Sequence, residues 1–127
     1  MFCKIVAKND DLRQRVENAS CLAFTPNNQT VNGHLLVVPK RHHETIFDIP
    51  DRELSDVMLF TKKIAIAMNK DTDVTGVNIL HASGISAQQS IPHFHLHLIP
   101  RFDDDHVNAW PDFPGGGNML TGWTLSE

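Results

Sequence analysis

Five consecutive residues, His93-Phe94-His95-Leu96-His97, alternate an imidazole with a large apolar side chain. A period of two belongs to a half-buried strand, because successive side chains of an extended chain point to opposite faces. The run predicts a strand over residues 93–99, ended by Pro100. Phe94, Leu96 and Leu98 share a face that must be covered, and His93, His95, His97 and Ile99 share the other. With a rise of ~3.3 Å per residue, neighbouring imidazoles stand roughly 6–7 Å apart.

The cover is legible upstream. Leu54, Val57, Met58, Ile64, Ala65 and Met68 recur at three- and four-residue spacing, which predicts one long helix over residues 50–70. Pro50 suits its first turn, and Asp51 and Glu53 suit its positive end. Cys21-Leu22-Ala23-Phe24 is a short apolar run stopped by Thr25-Pro26-Asn27-Asn28, which is turn chemistry. Residues 33–38 and 76–80 read as further strands, residues 83–90 as a polar loop and residues 1–10 as a short helical turn. Strands, one helix and more strands on short connections predict an α+β fold with an antiparallel sheet. Residues 1–102 form the expected domain. Residues 103–127, with an Asp run, two prolines and three consecutive glycines, read as a C-terminal tail with little regular structure.

Bulk properties narrow the function. A chain of 127 residues is one domain. A net charge of −4, with only the short basic spot Lys40-Arg41-His42-His43, speaks against a nucleic-acid-binding face. No apolar run approaches the ~20 residues of a membrane span. The first residues lack a signal peptide's apolar core. Two cysteines, Cys3 and Cys21, make no disulfide framework. A reduced, cytoplasmic protein is expected.

Imidazole changes charge near neutral pH, so the histidine run points to nucleophilic and proton-transfer chemistry. Breaking a phosphorus–nitrogen or phosphorus–oxygen bond is the expected reaction. The rival is a metal, since histidines two apart on a strand can share a zinc ion. No glutamate lies between Glu53 and Glu127, and Asp103 to Asp105 sit in the tail. A metal-dependent hydrolase using the same histidines stays open as an alternative.

The run from Gln89 to Arg101, with its His-x-His-x-His and following Ile99-Pro100, resembles the signature of the histidine triad (HIT) proteins. Phe2-Cys3-Lys4-Ile5, Leu22-Ala23-Phe24, the run Gly33 to His42 and Gly76-Val77-Asn78 resemble that family's other segments in order. The resemblance spans residues 2–101. It implies an antiparallel sheet with one long helix, doubled into a homodimer with a continuous sheet. It also implies hydrolysis or transfer of a nucleoside monophosphate, from phosphoramidates or dinucleoside polyphosphates. His95 would attack the α-phosphorus and carry the nucleotidyl group. His97 would bond the phosphate oxygens, His93 would orient the site through its other ring nitrogen, and His34 would lie beside His95. The Ser90 hydroxyl, Gln89 and nearby N–H groups would meet the phosphate.

The recognition loops depart from the family's pattern. An Asp or Asn usually stands eight residues before His34 to bind ribose; here it is Pro26, with Asn27 and Asn28 as the available substitutes. Eleven residues before His93 the usual Asn or Gln is Ala82, with Ser83 beside it, and Gln88 stands where Gly is usual. A weaker or different nucleotide preference is expected, and a binding relative with little catalysis is the alternative. Some bacterial members hold a structural zinc with an N-terminal Cys-x-x-Cys and two histidines. This chain keeps only Cys3 of that pair, so no zinc or other cofactor is expected, and His42 reads as a surface or interface residue. Trp110-Pro111 resembles an element of the phosphoramidase branch that lies near the partner's active site, which places the tail near the active site or the partner subunit.

Overall fold

The computed structural model describes residues 15–29 and 31–109. Five strands form one antiparallel sheet in the order β1-β2-β3-β5-β4: β1 Arg15–Glu17, β2 Cys21–Phe24, β3 Leu35–Pro39, β4 Gly76–Leu80 and β5 Leu96–Arg101. One helix, α1, runs from Asp51 to Asp71. The expected turn over residues 1–10 and the tail beyond residue 109 lie outside the described residues.

Helix α1 covers one face of the sheet. Val57, Phe60 and Thr61 are buried on it, and Leu54, Ile64, Ala65 and Met68 pack beside them; five residues of the expected stripe face the sheet, whereas Met58 is exposed and Phe60 and Thr61 join the buried face instead. Opposite them lie Cys21 and Ala23 of β2, Leu35 and Val37 of β3, and Leu96 and Leu98 of β5, together with Phe94. The pleat sends the alternate residues Leu22, Phe24, Leu36 and Val38 to the other face, where Ile91 packs on them. Burying a Val or Phe of this kind contributes about 1.5–3 kcal/mol.

Two expectations are corrected. Strand β5 starts at Leu96 rather than His93 and runs through Pro100 to Arg101. Pro100 is tolerated because β3 pairs β5 only as far as Leu98, so its missing N–H costs no bond on that side. Strand β1 was not anticipated. Arg-Val-Glu is too short and polar to announce itself, and the strand exists by pairing with β2, Val16 opposite Ala23.

Candidate active site

Strand β5 has a neighbour on each side, so its N-terminal end is a rigid place from which to aim side chains. His97 sits on the strand, opposite Leu36 of β3 and Leu80 of β4. His93 and His95 sit on the extended approach to it. Phe94 N–H is held by the His43 carbonyl at 2.6 Å, and Phe94 itself is fully buried. The alternation therefore survives where the strand does not. Phe94 faces the helix, and His95 with His97 faces the opposite side, their ring centroids 5.1 Å apart rather than the 6–7 Å of an ideal strand.

The second element of the site is the turn before β3. Gly33 has φ +89°, and a Cβ there would meet Pro100 Cγ at 3.2 Å. That turn delivers His34, 3% exposed, with its Nε2 at 3.0 Å from His97 Nδ1. His34 thus meets His97 directly and shares the cleft with His95. All three rings line one cleft of about 240 Å³, with Phe24, Pro26, Asn27, Asn28, Leu36, Ser90 and Ile91.

Hydrogen bonds fix the protons. His95 Nδ1 lies 2.8 Å from the His93 carbonyl oxygen. A carbonyl only accepts, so Nδ1 carries the hydrogen and Nε2 of the neutral ring carries none. Burial pushes the His95 imidazolium below the ordinary histidine range, against the support of that bond. His97 is held down to about 4, by burial first and then by its histidine neighbours His95, His34 and His81. Burial also lowers His34.

His93 reaches the His95 ring through its carbonyl. The ring is turned away: Nε2 donates to the Pro39 carbonyl at 3.2 Å, and Nδ1 faces His42 Nδ1 at 3.3 Å.

The flanking loop also differs in detail. Ser90, Asn27 and Asn28 line the cleft, and the Ser90 hydroxyl makes no hydrogen bond among the described residues. Gln89 serves the loop's own frame. Its Oε1 accepts from Gly84 N–H at 2.8 Å, and its Nε2 donates to the Glu44 and Ile91 carbonyls. Ser83 bonds the His81 ring and the Ile46 N–H, and neither it nor Ala82 lines the cleft. Trp110 lies outside the described residues. His81, which sequence reasoning passed over, donates from Nδ1 to the His95 carbonyl at 2.9 Å. As a single histidine in a loop it gave no signal.

Zinc needs about four nitrogen or sulfur ligands. Among the described residues no three of His, Cys, Asp and Glu come together for a metal. His42 and His93 supply two ring nitrogens, and Cys3 falls outside the described residues. Among the described residues that is two of about four ligands.

A family model described as the HIT domain matches residues 9–104. The chain belongs to the HIT family. This HIT protein is 36% identical over 113 residues to adenosine 5'-monophosphoramidase HNT1 of Saccharomyces cerevisiae, covering 87% of this chain and 69% of that one. It is 35% identical over 102 residues to protein hit of Bacillus subtilis, covering 80% and 70%. Its fold matches a Zn-bound histidine triad family protein from Mycobacterium smegmatis with a TM-score of 0.78 at 30% identity, covering 87% of this chain and 81% of that one. The antiparallel sheet with one long helix is therefore the HIT fold.

Proposed function

We propose that this HIT protein is a nucleotide hydrolase or nucleotidyl transferase of the phosphoramidase type, with His95 as nucleophile. The observation that carries this reading is the His95 Nδ1–H bond to the His93 carbonyl, which puts the ring's hydrogen on Nδ1 and none on Nε2, in a ring that lines the cleft. The kinship with yeast adenosine 5'-monophosphoramidase supports the substrate class.

In the first step His95 Nε2 bonds the α-phosphorus, the phosphorus–nitrogen bond breaks, and the amine leaves with a proton drawn from solvent. In the second, a water oxygen bonds the phosphorus, the Nε2–phosphorus bond breaks, the water's proton returns to solvent, and the monophosphate leaves the free imidazole behind. Splitting one displacement into two is what an imidazole nucleophile supplies. His34 Nε2 and His97 Nδ1 share one hydrogen bond, and in the tautomer pair with His34 donating, His97 keeps its own hydrogen on Nε2 and offers it to a phosphoryl oxygen. The Ser90 hydroxyl adds a donor. Phe24, Leu36 and Ile91 offer apolar surface for a base, and Asn27 and Asn28 offer polar groups for ribose.

A homodimer is part of the same reading. Strand β4 is a sheet edge, Ile79 on it is 41% exposed, and Met58, Leu59 and Ile66 of α1 are 44%, 57% and 54% exposed. Light scattering on the purified protein tests it, and a monomer at micromolar concentration removes it.

A second reading, a nucleotide-binding relative with little turnover, is favoured by Pro26 in the cleft wall and by Ala82 outside it. Turnover of adenosine and guanosine phosphoramidates against dinucleoside polyphosphates, with a chelator present, separates the two. Acid quench of the wild type should trap a nucleotidyl group on His95. His95→Ala should lose turnover by about 10³-fold or more while keeping its fold. An active His95→Ala protein rejects the assignment, and loss of wild-type activity in the chelator would favour metal-dependent hydrolysis.

A further inference from the structure

We propose that His81 is a positioning residue for the His95 imidazole, an inference that rests on reading His95 as the attacking group. His95 sits where the sheet no longer holds it. The β3–β5 ladder reaches back only to Leu96, and the β4–β5 ladder only to His97, opposite Leu80. Beyond Leu80 a side chain takes over from the strand. His81 Nδ1 lies 2.9 Å from the His95 carbonyl oxygen and does what a backbone N–H of a longer β4 would do. The His81 ring is steadied against Phe94, centroids 4.5 Å apart and planes 34° from parallel.

The proton on His81 is set by the carbonyl it meets. The His95 carbonyl offers only lone pairs, so Nδ1 carries the hydrogen and the neutral ring's Nε2 accepts. Nε2 meets the Ser83 hydroxyl, which in turn accepts the Ile46 N–H at 2.8 Å. Donation therefore runs from Ile46 to Ser83 to His81 to the His95 carbonyl. The nucleophile is gripped from both sides: its ring by the His93 carbonyl, and its own carbonyl by His81. A misplaced reacting group costs rate far more than it costs binding.

The test compares His81→Leu, which removes the donor, with His81→Asn, whose amide nitrogen stands near the place of Nδ1. Adenosine phosphoramidate is the substrate, and the thermal midpoint of each variant is recorded. His81→Leu should lower kcat about tenfold or more with KM within about twofold, and His81→Asn should recover most of the loss. A wild-type kcat in His81→Leu, or an Asn variant as slow as the Leu variant at equal stability, overturns the proposal. Ring ¹⁵N NMR of the substrate-free protein supplies a readout independent of turnover. The His95 signals should report one tautomer, Nδ1–H, in the wild type and a mixture in His81→Leu. If the wild type turns over no nucleotide, the nucleophile reading has failed. In that case unchanged His95 signals in His81→Leu overturn the positioning role, and a changed tautomer upholds it.

Discussion

His95 Nδ1 stands 2.8 Å from the carbonyl oxygen of His93, two residues earlier in the same chain. The bond is local, so the approach to β5 carries its own orienting group. It selects the tautomer in which Nε2 carries no hydrogen, as the proposed attack on phosphorus requires. Serine and cysteine nucleophiles need a neighbour to take a proton; this imidazole needs only to stay neutral.

Staying neutral has a measurable consequence. Burial lowers His95, and His97 is held down to about 4. The acid limb of kcat/KM is therefore expected below the ordinary histidine value of 6.5. A pH–rate profile from about pH 4 to 8 checks this. An acid limb at or above 6.5 would show that His95 is charged in the free protein.

The same groups make stability depend on pH. His34, His93, His95 and His97 all have lowered values in the fold. Between the folded and unfolded values the unfolded chain binds more protons, so stability rises with pH there. Below the folded value both states are protonated and the slope ends. Stability should be fully present above about 6.5, and His97 should account for a loss continuing down to about 4. Urea midpoints at neutral pH and at pH 5 measure it. Equal midpoints would contradict the burial of these rings.

Gln88 offers a third prediction. It has φ 70° and ψ 29°, the left-handed region, at the end of the short 3₁₀ turn Ile85–Ala87. The pattern that the run before His93 resembles carries glycine at this position, and the backbone angle supplies the reason. Gln88→Gly should raise stability by up to about 1 kcal/mol, because a Cβ is costly in this conformation. Gln88→Val should lower it. Denaturant melts of the two variants decide the sign.

Phe94 carries the fourth. It is fully buried between the helix-side core and His81, and its N–H is held by His43. Phe94→Ala should cost about 3–5 kcal/mol, read as a lowered denaturant midpoint. Ile85 is 92% exposed, so Ile85→Ala should change stability by less than about 0.5 kcal/mol. A Phe94 variant as mild as the Ile85 variant would place that ring outside the core.

Periodic features were readable from the chain. The α1 stripe and the apolar alternation through Phe94, Leu96 and Leu98 follow from burial, which leaves a repeating mark. Strand β1 left none, since Arg15 to Glu17 are held by pairing rather than by composition. The site divides in the same way. Three histidines drew attention by number, but the roles of His93, Gln89 and Ser83 depend on which way each side chain turns. Gln89 and Ser83 look like ligand-binding groups and are tied instead to their own loop and to His81. His81 is one bond from the key residue in space and fourteen positions away in sequence.

The inner placement of β5 also bears on how such a protein can be redirected. In the proposed function the reacting ring stands on the approach to an inner strand, held by the His93 carbonyl and by His81, while Pro26, Asn27, Asn28 and Ser90 belong to loops that line the cleft. Retooling the cleft for another base or leaving group therefore asks for changes in those loops alone. The reaction can stay constant while its clientele changes.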